Sequence, residues 1–152
     1  MLFASSQLDV ARSPRQVEAA LREQPAGWLT VLFEEAGQAD WELLQQLAPE
    51  SSPRRFPRRE EVKVRPAVQI NSALLLPLDW RSSSPDAIFP AAELDLEAAP
   101  LEGAIGTRIE LRARLTAPGG REPDPALLEG AQQYVRELTA RICAHLLSHL
   151  VA

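Results

Sequence analysis

The chain has 152 residues, a length that suits one domain around one core. Apolar residues make up 45% and charged residues 24%, the ordinary balance of a globular chain. The net charge of −5 argues against a nucleic-acid partner, and no apolar run approaches the roughly 18 residues needed to cross a bilayer. The first residues, Met1 to Ser6, lack the basic segment and long apolar core of a secretory signal. The single cysteine, Cys143, excludes an internal disulfide and fits a reducing compartment. A cytoplasmic protein is therefore expected. The 13 prolines fall between elements as punctuation, and the chain carries no internal repeat.

Residues 2–11 alternate, with Ala4, Ser6, Leu8 and Val10 on one side, which predicts a first strand. Ser13-Pro14-Arg15-Gln16 opens a helix. Ser13 is a good N-cap, Pro14 takes the first helical position, and Gln16 completes a capping box. Val17, Ala20 and Leu21 would face inward. After the break at Gln24-Pro25-Ala26-Gly27, a second helical stretch carries Trp28, Leu29, Leu32 and Phe33. The pattern resumes beyond Gly37 with Trp41, Leu44 and Leu47.

A loop rich in Pro, Ser and Arg spans 49–58, and the period then changes from about 3.6 to 2. Val62, Val64, Val68 and Ile70 are predicted on one face, with Pro66 and Pro77 at edges or bulges. Asn71-Ser72 turns into a partner strand in which Leu74, Leu76, Leu78 and Trp80 share a face. Ala92, Leu94, Leu96 and Ala98 alternate with acids. Ile109, Leu111, Ala113 and Leu115 alternate mostly with arginines. Joined near Gly103 and Gly106, these strands predict an antiparallel hairpin whose outer faces attract each other. About five strands are expected in all. Finally, Asp124 caps and Pro125 starts a long helix, with Leu128, Ala131, Val135, Leu138, Ile142, Leu146 and Leu150 as its apolar stripe.

The order strand, two helices, several antiparallel strands and one long helix predicts an α+β fold in which a curved antiparallel sheet wraps around the C-terminal helix. It resembles the helix-grip fold of the START-like superfamily, which includes polyketide cyclases and coenzyme-Q-binding proteins. The resemblance extends to poorly characterised bacterial members through Leu76-Pro77-Leu78-Asp79-Trp80, through Ile88-Phe89-Pro90 leading into the acidic strand that ends at Pro100-Leu101, and through the helix from Asp124 to Leu150. It covers most of the chain from about residue 8, and its motifs are mostly packing residues. The chain departs from the superfamily in its strand count and in the short segment around Ala117-Pro118-Gly119-Gly120. The resemblance implies a hydrophobic cavity between the sheet and the last helix. The inward alanines Ala92, Ala98 and Ala113 leave space there, or else let the helix approach closely.

Val64, Leu76, Trp80, Leu94, Leu111, Leu138 and Ile142 are the expected lining, with Tyr134 and His145 as polar hooks. The expected occupant is a hydrophobic small molecule such as a lipid or polyketide. His145 and His149 stand one helical turn apart, the spacing of two metal ligands, but no further ligand accompanies them. Neither a metal nor a cofactor is expected. Asp79, Glu93, Asp95 and Glu97 fall on the outer face, where they suit sheet pairing better than acid–base chemistry. Cys143 lacks a basic neighbour in sequence. Arg54-Arg55-Phe56-Pro57-Arg58-Arg59 reads as a solvated loop or as a phosphate grip. The leading expectation is a non-catalytic binding protein. Two alternatives stand beside it. One is a cyclase or aromatase using His145 or Tyr134. The other is an interaction module with a filled cavity that acts through the arginine loop or a sheet edge. Homodimerisation stays open.

Overall fold

The structure is a computed structural model that describes residues 1–23, 25–34, 60–82, 89–103, 105–117 and 124–149. The expectations for Trp41, Leu44, Leu47, the arginine loop, Ile88, Gly119, Gly120 and Leu150 lie outside the described residues. The elements are β1 (Leu2–Val10), α1 (Pro14–Arg22), α2 (25–34), β2 (Glu60–Val64), β3 (Val68–Ile70), β4 (Ala73–Ser82), β5 (Ala91–Pro100), β6 (Thr107–Leu115) and α3 (Pro125–His149). The strands form one antiparallel sheet in the order β1-β6-β5-β4-β2, with β3 also paired to β4. With α3 lying across β1 and β6, this is an α+β helix-grip fold. Among the described residues, no helix is long and apolar enough to cross a membrane.

The local signals act as their chemistry requires. Ser13 Oγ accepts from the Gln16 amide, and the Gln16 side chain accepts from the Ser13 amide, so the capping box closes. Val17, Ala20 and Leu21 are buried beneath it. Asp124 accepts from the Leu127 amide at 2.8 Å and starts α3. In the β5–β6 turn, Gly103 takes a positive φ of 70°. A Cβ on Gly106 would stand 2.9 Å from Leu101 Cδ1 and 3.1 Å from the Val10 carbonyl oxygen, so the β1 end packs against this turn only because Gly106 has none.

The inner face carries the core. Leu74, Leu76, Leu78 and Trp80 from β4, Ala92, Leu94, Leu96 and Ala98 from β5, and Ile109, Leu111, Ala113 and Leu115 from β6 are all buried. Each buried Leu or Ile contributes about 1.5–3 kcal/mol relative to exposure. Leu8 departs from its expected inward place and is half-exposed on the edge strand β1.

Two expectations are overturned by register. Val64 pairs with Leu78, but Val68 pairs with Leu75, so three residues of one strand oppose two of the other. This bulge at 65–67 inserts one residue, and with a side-chain period of two it inverts the faces of β3. Val68 and Ile70 therefore point outward, 46% and 50% exposed, and the expected single strand 62–70 is two strands. The sheet accordingly has six strands rather than five. The Pro77 carbonyl accepts from the Arg65 amide at 2.9 Å, which turns the proline nitrogen toward the bulge. There a missing N–H breaks no ladder bond, and a proline is tolerated inside a central strand.

On α3 the buried arc begins at Leu127, not Leu128. The Asp124 cap fixes Leu127 in the first turn with its side chain in the core, and the next residue is rotated about 100° away. From Ala131 to Leu146 the stripe is as expected, and it widens to take in Tyr134, Thr139 and Cys143. The buried Thr139 hydroxyl donates to the Val135 carbonyl at 2.7 Å.

Candidate functional site

The inner face of the sheet is roofed by three helices. Beside α3 on β1 and β6, α1 touches β5. Between α3 and β4 lies α2, whose Leu29, Leu32 and Phe33 are buried in the core. Its Phe33 ring stacks on Trp80 of β4 with centroids 5.7 Å apart, and its Trp28 ring stacks on His145 of α3 at 4.4 Å and 11°. Thus α2 is fastened by one ring to the sheet and by another to the long helix.

At the end of the sheet where β4 finishes and β5 begins, four rings meet. Trp80 touches Tyr134 at 5.7 Å as well as Phe33, and Phe89 touches Tyr134 at 5.9 Å. All four are buried, Trp80 to 1% exposure. The interplanar angles run from stacked to tilted, geometries that ring quadrupoles favour. Away from this wall most of the described core residues are aliphatic.

The structure gathers the residues expected to line a site. Leu76, Trp80, Leu94, Leu111, Tyr134, Leu138 and Ile142 belong to one hydrophobic cluster, and half-buried Val64 packs against it. His145 reaches the cluster through Trp28, which also packs against it. Tyr134 and His145 lie on one flank of α3, eleven residues apart. At 1.5 Å per residue that is about 16 Å, too far for both to act on one reacting atom. Phe33 and Phe89 complete the aromatic wall, although sequence spacing marks Phe33 only as a core residue and Phe89 only as part of a motif.

The remaining candidates resolve chemically. The Cys143 thiol is pushed up to about 11, chiefly by burial and further by the Asp9 carboxylate, so it is not a nucleophile at neutral pH. Among the described residues, no group of three or more His, Cys, Asp or Glu is placed to hold a metal ion. His149 ends α3, and its side chain lies outside the described residues.

The outer-face acids engage arginines. Arg65 binds Asp79 at 2.9 Å, Arg114 binds Glu93 at 2.6 Å and Arg108 binds Asp9 at 3.3 Å. Arg112 reaches past Asp95, its direct partner in register, to bind Glu97 at 2.9 Å. Two depressions of about 480 and 440 Å³ open among these charged side chains. Apolar side chains share both walls, Phe3, Ala4 and Ala113 in the first and Trp80, Ala91 and Ala92 in the second.

No protein-family model matches the chain, and no curated protein matches it. Among solved structures, the chain is similar to the crystal structure of Ara h 8.0201 at 13% identity, covering 96% of this chain and 97% of that one, with a TM-score of 0.43. It is similar to DynU16, from the dynemicin biosynthetic locus, at 12% identity and a TM-score of 0.46, covering 97% of this chain and 48% of that one. It is also similar to TTHA0849 from Thermus thermophilus, at 16% identity over 97% and 98% of the two chains, with a TM-score of 0.40.

Proposed function

We propose that this chain is a single-domain binding protein of the START-like kind, which takes a hydrophobic small molecule between the inner face of the sheet and the C-terminal helix. One observation carries this reading. The long helix spans β1 and β6, while Trp80 and its neighbours on β4 are roofed by the short helix α2 and the ring of Tyr134. That half of the floor is apolar and is closed by a separate helix and the ring of Tyr134 rather than by the body of α3. Such a wall can part for a flat or extended apolar guest. Val64, Leu76, Leu94, Leu111, Leu138 and Ile142 supply the greasy surround, and Tyr134 and His145 supply the polar atoms on α3. Tyr134 and His145, about 16 Å apart along α3, do not act on one reacting atom together, which favours binding over a cyclase that would use the two as a pair.

The test is native mass spectrometry of freshly purified protein, together with titration of 1-anilinonaphthalene-8-sulfonate followed by energy transfer from tryptophan. A retained apolar ligand, or saturable 1:1 uptake that Trp80→Ala weakens, is the expected result. An empty protein that takes up no apolar probe would overturn the reading.

A further inference from the structure

We propose that the outer face of the sheet carries a second site, independent of the inner pocket, where Lys63 and Arg81 grip the phosphate of a small phosphate monoester. The depression of about 440 Å³ opens at the end of the sheet where β6, β5, β4 and β2 lie side by side. Its charges do not all neutralise one another. Register sets Lys63 opposite Asp79 and Arg81 opposite Glu61, a checkerboard of two potential ion pairs. Arg65, diagonal to Asp79 at the start of the bulge, breaks that pattern. It takes both oxygens of the Asp79 carboxylate, with Nε at 2.9 Å and Nη2 at 3.0 Å. Glu93 is likewise held by Arg114. Among the described residues, Lys63 and Arg81 close no ion pair, and both are exposed. Of the three acids that line the depression, Asp79 and Glu93 are engaged and Glu61 is not. Two uncommitted cations beside one uncommitted acid make a positive site on a chain whose net charge is −5.

The ladder brings the two cations together. Lys63 and Arg81 are diagonal neighbours across β2 and β4, a relation that sets residues about 7–8 Å apart on one face. Val62 and Trp80, which pair between them, are buried, so Lys63 and Arg81 both project to the outer side. Side chains of their length close on one anion from two directions. A phosphate monoester matches them better than a carboxylate does, because it carries about −1.5 to −2 charge near pH 7. Arg81 offers a planar fork of donors and Lys63 a point charge, and phosphate oxygens accept from both. Half-buried Ala91 lines the same depression and meets the organic group of the ester.

The test is titration of the full chain with phenyl phosphate, inorganic phosphate and benzoate, followed by backbone amide shifts in two-dimensional NMR. Phenyl phosphate is expected to give saturable shifts centred on residues 61–64 and 79–82, with the amides of α3 unmoved. Lys63→Ala and Arg81→Ala should each weaken binding about tenfold, and Glu61→Gln, which removes the opposing carboxylate, should strengthen it about threefold. All three side chains are exposed, so none of these substitutions removes a core contact. Inorganic phosphate moving the same amides would support the site, and its affinity relative to phenyl phosphate tells the free ion from the ester. Benzoate binding as tightly as phenyl phosphate would overturn the assignment to phosphate. Absent shifts, shifts spread evenly over the arginines of β6, or affinities that none of the three substitutions moves would overturn the site. Shifts confined to the inner residues Leu94, Leu111 and Leu138 would also overturn it, while leaving the inner pocket standing.

Discussion

Glu97 and Glu110 stand directly opposite one another on the outer face of the β5–β6 hairpin. Facing like charges destabilise a strand pair, so the contact needs a compensating group. Arg112 is that group, binding Glu97 at 2.9 Å and Glu110 at 3.2 Å. The hydrogen bond to Glu97 holds its guanidinium above the ordinary value, against a smaller opposing effect of burial. Replacing Arg112 with Ala removes two ion pairs and uncovers the repulsion. The three side chains remain partly in water, so the expected loss is modest, about 1 kcal/mol in urea unfolding at low salt. Adding Glu110→Gln to Arg112→Ala should recover about half of that loss. Equal stability of the single and double variants would show that the facing carboxylates do not interact.

The free edge of β1 is covered in an unusual way. Gln132 of α3 donates from Nε2 to the Ser5 carbonyl at 2.6 Å and accepts from the Ser5 amide at 3.4 Å. One side chain thus satisfies both backbone groups that Ser5 turns away from β6, and it ties the long helix to the sheet edge. Gln132→Ala should cost about 1 kcal/mol, which for a chain of this size lowers the melting temperature by about 2–4 °C. Gln132→Glu should cost more, because a carboxylate cannot donate to the carbonyl. Both variants should aggregate faster on mild heating, measured by light scattering. Unchanged melting in both would show that water serves the Ser5 groups equally well.

Most of the fold is legible in local chemistry. Ser13 and Gln16, Asp124 and Pro125, and the alternation through β4, β5 and β6 each fix an element without reference to the rest. The face of β3 is not legible, because it depends on a single extra residue between Val64 and Val68. Alternation in sequence stays in phase through that point, while the ladder with β4 does not. Stability should follow the ladder. Val68→Thr and Ile70→Thr are expected to change unfolding free energy by no more than about 0.5 kcal/mol, as outward substitutions do. Leu76→Ala, on the inner face of β4, should cost about 2–5 kcal/mol. A large loss at Val68 would return β3 to the core side.

The site is legible in part. Trp80 is readable as an inner-face residue because strand parity places it there. Its partners are not, since Phe33, Phe89 and Tyr134 come from three separate segments and meet only through tertiary packing. His145 shows the same limit. Helical spacing places it on the flank of the stripe but gives no sign that Trp28 of α2 covers its ring. Gln132 carries no sequence signal at all, because an edge cap requires only that a long polar side chain pass the right backbone group.

Burial of Cys143 makes a prediction about pH. Its thiol is raised from 9.0 to about 11, first by burial and then by Asp9. The neutral form is favoured in the folded chain, so ionisation in the unfolded chain begins at lower pH. The stability linked to this group is therefore complete below about pH 9 and is lost as the pH rises toward 11. A shift of this size corresponds to a loss on the order of 2–3 kcal/mol across that window. Cys143→Ala should remove this part of the alkaline slope, so the difference in unfolding free energy between parent and variant should narrow steadily from pH 9 to pH 11. The same burial predicts that iodoacetamide labels the folded protein at pH 8 far more slowly than the protein in urea. A pH-independent difference between parent and Cys143→Ala, or rapid labelling of the folded chain, would place the thiol in water and turn that part of α3 away from β1.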